Sequence, residues 1–453
     1  MRTTNDRDPS AGTSGGMWLS DDGFAMAIAI AVSAVVFMLA TMLITFAVYR
    51  TTQSSIQRSQ AMATHMADAG LNAYIAEMRF NANYVQNDPD GLSGSQSSVG
   101  SWTVTAQQVP NAAEATLTAI GYVGKAQRTL HARITFKGFG DYAIITNAPI
   151  YFTDTDVVNW DVYANGDIRL SPLTQIKANA TTAGYFRSMS SGGIITPSAT
   201  QVTKKATSLA PKVTFSTATT QAAAAVASAT AEGTNFATYN GGHLVEFGKP
   251  SADYVTVSKI TSVNTTSNPG AMTLSGSTAY AYPASGAFTF NDDTWVKGTY
   301  SHAVTVYTAA NMYMLSDINS SNPSDNTITC GLLAKQNLLW PTWVKAMTSP
   351  LTVRAAMIAQ TGQISYDNIS SYYNAYKTYT SNNPVDVLTQ LNVSGSVGSY
   401  KQFYTQDGTD AASTHHGFKN ATISYDTNLY QTAPPFWPPI GTGEIKVIKW
   451  LDY

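Results

Sequence analysis

The chain has 453 residues, a net charge of −2 and only 12% charged residues. This balance excludes a strongly basic nucleic-acid-binding protein, and a single cysteine, Cys330, excludes an internal disulfide. Cys330 precedes Gly331-Leu332-Leu333, which is typical of a small buried apolar residue. The length allows two or three domains. Abundant Thr, Ser, Asn, Gly and Tyr favour β-structure with a weakly charged surface.

The N-terminal part predicts one long helix. Residues 1–22 are hydrophilic and too short to bury a core, whereas Phe24 to Tyr49 contains no charged residue. About 26 helical residues reach roughly 39 Å, enough to cross a bilayer with some tilt. From Thr51 to about Phe80 the sequence is polar, without proline, and its apolar residues keep helical spacing. The sequence therefore predicts a helix, residues 24–83, that leaves a membrane and enters a soluble body.

Two short motifs lie at the start and in the second half of this helix. The first is Asp22-Gly23-Phe24-Ala25-Met26, and the second is Ala67-Asp68-Ala69-Gly70-Leu71. Together with the unbroken apolar stretch between them, they resemble the N-terminus of type IV pilin-like proteins, most closely the PilX-type minor pilins.

The resemblance implies that residues 1–23 are a leader. A prepilin peptidase would cut between Gly23 and Phe24 on the cytoplasmic side and methylate Phe24. The protein would then lie in the inner membrane as a single-pass protein with a cytoplasmic N-terminus until it enters an extracellular filament. The helix would pack among other pilins or pseudopilins through its apolar side chains, among them Phe24, Ile28, Phe37 and Leu43.

The fifth residue after the expected cut departs from the family. Most pilins have Glu there, and this chain has Ile28. An ionised carboxylate in hydrocarbon costs several kcal/mol unless it is paired, and in the family it is thought to pair with a neighbour's N-terminal amine. Its absence indicates a minor subunit. The charges around the helix do not define an orientation, so an uncleaved signal anchor remains an alternative.

Residues 84–140 predict a small antiparallel meander against the helix. Apolar and polar residues alternate in Trp102–Ala106, Ala115–Ala119 and Arg128–Phe136. Before these strands, Asp88 and Asp90 flank a proline, which favours a solvated turn over a calcium loop.

Residues 141–453 predict an elongated β-solenoid-like domain. A period of 18 residues between Ile150 and Gly184 aligns Ile150 with Ile168, Phe152 with Leu170, Val158 with Ile176, and Val162 with Ala180. Residues of about 197–283 break this rhythm and read as an insertion, with an alanine-rich helix at Gln221–Ala231. The predicted fold class is α+β, mostly β.

The C-terminal region contains prolines at 434, 435, 438 and 439, which favour an extended segment leading a last strand back along the body. Phe436 and Trp437 are expected to cover an open end of the solenoid. Tyr425-Asp426, the proline cluster and the last strand with Trp450 resemble the C-terminal part of large PilX-type proteins.

Catalytic residues, metal ligands and cofactors are not predicted. Four carboxylates offer the best enzymatic alternative, because β-solenoid enzymes that cleave polysaccharides use carboxylates on one face; they are Asp154, Asp156, Asp161 and Asp167. Their spacing supports this poorly, since Asp167 lies at an Asn-Gly-Asp corner. His415 and His416 are adjacent and would point to opposite faces of a strand, so exposure is favoured over a metal site.

Three functions follow from these patterns. The first is a minor pilin-like subunit of a type IV pilus or related secretion filament, placed near the tip because a body of this size would crowd a packed shaft. Its partners would be other pilins, the prepilin peptidase and the inner membrane, with no nucleic acid. The second is a membrane-anchored adhesin that binds a surface or glycan ligand through the insertion. The third is a cell-envelope enzyme acting on polysaccharide.

Overall fold

A computed structural model of the chain describes residues 21–80, 91–96, 99–108, 114–152, 156–264, 271–341, 350–366, 386–403, 406–407, 416–439 and 445–451. The first element is helix α1 (Asp21–Phe80), which has no proline and runs unbroken through the apolar and polar stretches. Residues 1–20 of the predicted leader, residues 81–83 of the predicted helix, and Asp88 and Asp90 lie outside the described residues.

A small antiparallel sheet packs against the second half of α1. Its first four strands follow the helix in order: β1 (Leu92–Gln96), β2 (Gly100–Gln108), β3 (Glu114–Val123) and β4 (Ala126–Phe136). The alternation predicted a buried and a solvent face, and the buried face includes Val104, Leu117 and Ile134, which pack with Leu71 and Tyr74 of α1.

The chain then enters the large domain through a 3₁₀ turn, Phe139–Asp141. Nine short strands follow: β5 (Ile144–Thr146), β6 (Ile150–Phe152), β7 (Val157–Val158), β8 (Val162–Ala164), β9 (Ile168–Leu170), β10 (Gln175–Ile176), β11 (Ala180–Thr182), β12 (Phe186–Ser188) and β13 (Ala206–Thr207). The residues that the 18-residue period aligned are register partners in parallel strands, as in Ile150 with Ile168 and Val158 with Ile176.

Helix α2 (Ser216–Glu232) connects these strands to the rest of the domain. It is longer than the predicted alanine-rich helix and ends at Gly233, whose φ of 74° suits glycine. Four strands follow it: β14 (Asn235–Phe236), β15 (His243–Phe247), β16 (Tyr254–Asn264) and β17 (Ala271–Ala281). The last two form an antiparallel hairpin that pairs with β15.

The longest run of strands fills the remainder of the domain: β18 (Ala287–Phe290), β19 (Thr294–Tyr300), β20 (Val304–Thr308), β21 (Met312–Ser320), β22 (Cys330–Ala334), β23 (Leu338–Trp340), β24 (Leu351–Ala359), β25 (Ile364–Tyr366), β26 (Asp386–Ser399), β27 (Gln406–Asp407) and β28 (His416–Ser424). Most of them pair in parallel with strands of the preceding and following coils. A coil is here one turn of the chain around the core of the domain.

The coils stack strand on strand in three columns. The first column runs β14, β18, β20, β22, β24, β26, β5, β8, β11, β13. The second contains β15, β19, β21, β23 and β25, with β6, β9 and β12 as a separate sheet. The third column begins with the C-terminal ends of β19 and β21. It continues through β24, β26, β28, β7 and β10. Each coil therefore buries its inner face against its neighbours.

The order of coils differs from the order of the chain. Residues 144–207 wind away from the coil that contains Ile144, and α2 then carries the chain back to the opposite end of the stack. Residues 235–424 wind from that end toward the middle, where β26 pairs with β5 and β28 pairs with β7. The two parts of the chain share one apolar core, in which Trp340 is fully buried.

The range predicted as an insertion, residues 197–283, is more integrated than expected. Strands β13, β14 and β15 pair within the columns. Helix α2 packs along the first column, where its Ala218 carbonyl accepts a hydrogen bond from the Gln360 side chain at 2.8 Å. The hairpin β16–β17 extends the second column at its end. The expected interruption is therefore an end coil, a connecting helix and an edge hairpin.

After β28 the chain forms a strap, residues 425–439, across the outside of the coils. It contains the short helix α3 (Asn428–Gln431). The Asp426 carboxylate in the strap accepts a hydrogen bond from Nη2 of Arg354 at 2.9 Å and forms an ion pair with its Nε, 2.8 Å away. Trp437 lies against Gly140 and Gly331, and Phe436 packs with alanines of α2. The expectation that these two aromatics cover an open end is wrong, because they fill the side wall between the strap, α2 and the first column.

The last strand, β29 (Ile445–Leu451), leaves the large domain and pairs antiparallel with β4. The order of the small sheet is thus β1-β2-β3-β4-β29. The large domain is inserted between the fourth and fifth strands of this sheet, so the final strand does not return along the body. The predicted fold class is confirmed: one long N-terminal helix, a small antiparallel sheet and a large β domain.

Candidate functional site

The apolar half of α1, residues 25–49, is exposed and packs against no other part of the protein that the structure describes. Ile28, Phe37 and Leu43 are 48%, 71% and 69% exposed. Within this half lies a window apolar enough and long enough to cross a membrane, none of which is buried in the protein. The hydroxyls of Thr41 and Thr45 donate to carbonyls one turn earlier, both at 2.8 Å. These two hydroxyls are thus satisfied within the helix, as an apolar surrounding requires.

Gly23 and Phe24 lie in the first turns of α1. The side chain of Phe24 lies outside the described residues, and processing between the two residues stays a prediction.

The other half of α1 packs closely on the small sheet. Ala63, Ala67 and Leu71 are fully buried. A Cβ on Gly70 would lie 2.9 Å from the Trp102 ring, and one on Gly121 of β3 would lie 2.0 Å from the carbonyl oxygen of Ala63. The Ala67-to-Leu71 motif thus lies at a contact where small residues let helix and sheet approach.

An ion pair joins the two chain segments that enter and leave the large domain. The Lys446 ammonium of β29 contacts the Asp141 carboxylate, and these side chains are only 9% and 8% exposed. Lys446 also donates to the Tyr430 carbonyl at 3.1 Å and lies 4.4 Å from the centre of the Tyr430 ring. Asp141 accepts the Gly138 N–H at 2.7 Å. Sequence reasoning missed this pair, because its members are 305 residues apart.

Two carboxylates of the enzymatic alternative, Asp161 and Asp167, take part in the stacking of coils. Asp161 accepts both the backbone N–H and the side-chain amide of Asn179, at 3.0 and 2.9 Å. Asp167 accepts the Tyr185 N–H at 2.9 Å and contacts Arg187. Burial raises the pKa of Asp167, but the Tyr185 N–H and the Arg187 guanidinium outweigh it, so the pKa lies below its ordinary value. Asp154 lies outside the described residues.

The remaining candidates from the sequence are two histidines and the single cysteine. His416 begins β28, and His415 lies outside the described residues. Among the residues that the structure describes, no group of three or more His, Cys, Asp or Glu side chains is placed to hold a metal ion. Cys330 is buried in the core of the large domain, as predicted, and burial raises the pKa of its thiol.

These features define a class of protein: an exposed apolar N-terminal helix continues into a helix docked on a small antiparallel sheet, into which a large β domain is inserted. Among solved structures, the chain is similar to the competence-associated pilin ComZ from Thermus thermophilus. The identity is 12%, the match covers 87% of this chain and 97% of that one, and the TM-score is 0.30. A likeness this distant carries no weight for function. No protein-family model matches the chain, and no curated protein matches it significantly.

Proposed function

We propose that the chain is a minor pilin-like structural subunit of a type IV pilus or related secretion filament. The observation that carries this proposal is the contrast along α1, whose first half is bare and apolar and whose second half is packed on the sheet. A bare apolar helix of this length needs lipid or other apolar helices around it. Before assembly, the inner membrane would surround the apolar half of α1 with lipid. In the filament, the helices of other pilins would surround it.

The large domain supports a position at or near the tip. It is connected to the small sheet by two adjacent segments, which bring Phe139 N–H within 3.2 Å of the Pro438 carbonyl. A bulky body on each subunit would conflict with close helical packing in a shaft. Ile28 also lacks the carboxylate through which, by the resemblance, a pilin pairs with its neighbour.

Processing at the N-terminus tests the filament role. Intact mass spectrometry of the native protein should find a chain that begins at Phe24 and carries one methyl group. In cells without the prepilin peptidase, the same protein should keep residues 1–23. Recovery of Met1 to Gly23 on the protein from peptidase-positive cells would contradict the proposal and favour the uncleaved anchor of a surface adhesin.

Labelling of intact filaments tests the tip position. Gold particles directed to an epitope on the exposed hairpin β16–β17 should collect at filament ends, because one end subunit can display its large domain without crowding. Antibody against the major subunit serves as the control for shaft labelling. Uniform decoration by the hairpin label along the shaft would rule out the tip position and leave the processing result unaffected.

A further inference from the structure

The separate sheet β6–β9–β12 presents an arginine stripe on its outer face, which consists of Tyr151, Arg169 and Arg187. These residues are register partners on adjacent parallel strands. Their chain neighbours, such as Ile168 and Leu170, are buried in the core, so the stripe residues point outward. The Arg169 guanidinium lies over the Tyr151 ring, 5.1 Å from its centre.

Within the described part of the chain, the charges of this stripe are unbalanced. Arg187 is paired, since its Nε lies 2.5 Å from Asp167 and its Nη1 donates to the Gly192 carbonyl at 3.1 Å. Among the described residues Arg169 makes no hydrogen bond or ion pair, and its Nε is buried without a partner. Adjacent strands are about 4.8 Å apart, and like charges directly opposite each other are destabilising. Among the residues that the structure describes, the stripe therefore has one carboxylate, Asp167, for two guanidinium groups, and a bound anion would balance the charge of Arg169.

The surroundings of the stripe favour a glycan over a nucleic acid. The planar guanidinium fork suits a carboxylate or a phosphate. Tyr185, 38% exposed, lies beside Arg187 and adds a second ring that can contact the apolar face of a sugar. The nearby lysines do not extend the stripe, because Lys177 follows β10 and Lys204 precedes β13, on other sides of the coil. Nucleic acids need several phosphate contacts in a row.

We propose that the arginine stripe binds the carboxylate of an acidic glycan, with Arg169 as the principal anion-binding side chain. The strand spacing is similar to the length of one pyranose unit, so a chain of uronic acids could run along the sheet. This proposal does not depend on assembly into a filament.

Calorimetric titration of the full-length protein in detergent with oligogalacturonate tests the proposal. Wild type should bind it saturably and should not bind the methyl-esterified oligomer, which has the same sugars without the charges. Arg169→Gln should weaken binding about tenfold or more, the loss expected for charge-assisted hydrogen bonds. Lys204→Gln, which removes an exposed charge elsewhere on the same coils, should change affinity less than about twofold.

The proposal would be overturned by a lack of saturable binding by wild type, by equal binding of the esterified oligomer, or by unchanged binding by Arg169→Gln. Single-stranded DNA of equal charge is the competing ligand, and tighter Arg169-dependent binding of DNA would assign the stripe to nucleic acid instead. Thermal unfolding checks that Arg169→Gln folds. Arg169→Lys keeps the charge without the fork, and its affinity should lie between those of wild type and Arg169→Gln.

Discussion

Replacing Lys446 with methionine is expected to destabilise the junction between the small sheet and the large domain by about 3 to 5 kcal/mol, the usual result of removing one partner of a buried ion pair. The methionine fills similar space but leaves the Asp141 carboxylate buried without its cation; among the described residues, the Gly138 N–H is then its one hydrogen-bond donor. Strand β29 should detach most easily, because Lys446 is its link to the 3₁₀ turn. Hydrogen exchange should show a loss of protection in residues 445–451 of about a hundredfold to a few thousandfold.

Lys449→Met is the matched control for this experiment. Lys449 lies on the same strand and is exposed, so its loss should change stability by less than about 0.5 kcal/mol. The double variant Asp141→Asn, Lys446→Met removes both charges and should recover part of the loss. If Lys446→Met and Lys449→Met show equal protection, the ion pair does not hold the junction.

Replacing Gly121 with alanine is expected to destabilise the docking of α1 on the small sheet by about 3 kcal/mol, at the upper end for overpacking. The added Cβ would lie 2.0 Å from the Ala63 carbonyl oxygen and 2.5 Å from the Ala67 backbone nitrogen. Both atoms belong to the backbone of a rigid helix, so helix and sheet must separate. Limited proteolysis should then cut between residues 60 and 80 of α1 faster than in wild type.

Gly193→Ala is the control for the glycine experiment. Its Cβ would meet only the Ser191 hydroxyl at 3.4 Å, an ordinary contact, and the substitution should leave proteolysis of α1 unchanged. Wild-type cleavage rates for Gly121→Ala would show that the helix can shift at little cost, and the close contact would then be unimportant for stability.

Local patterns in the sequence predicted much of the fold. The run from Phe24 to Tyr49 predicted the exposed apolar helix, because it contains no charged residue and is long enough to cross a bilayer. Alternation predicted β2, β3 and β4, since neighbouring residues of a strand face opposite sides. The 18-residue spacing predicted register partners such as Ile150 and Ile168, because equal coils place equivalent residues above one another.

The candidate site was only partly predictable. The exposed helix with Ile28, Phe37 and Leu43 follows from composition, whereas processing at Gly23 and Phe24 rests on the resemblance. The carboxylates Asp161 and Asp167 drew attention as chemical groups, and the structure gives them hydrogen bonds between coils instead. An aspartate is equally suited to catalysis and to hydrogen bonding between coils, and only the groups around it in the fold distinguish the two roles.

By itself the sequence determined where the helix, the strands and the repeating coils lie, since each depends on residues close together in the chain. The tertiary structure alone decided which distant segments meet. It placed β29 beside β4, Lys446 beside Asp141, and residues 235–424 on the coils of residues 144–207. The physical reason is that such contacts depend on how whole elements pack. The alternation within a strand says which face is buried, and it does not say which other strand buries it.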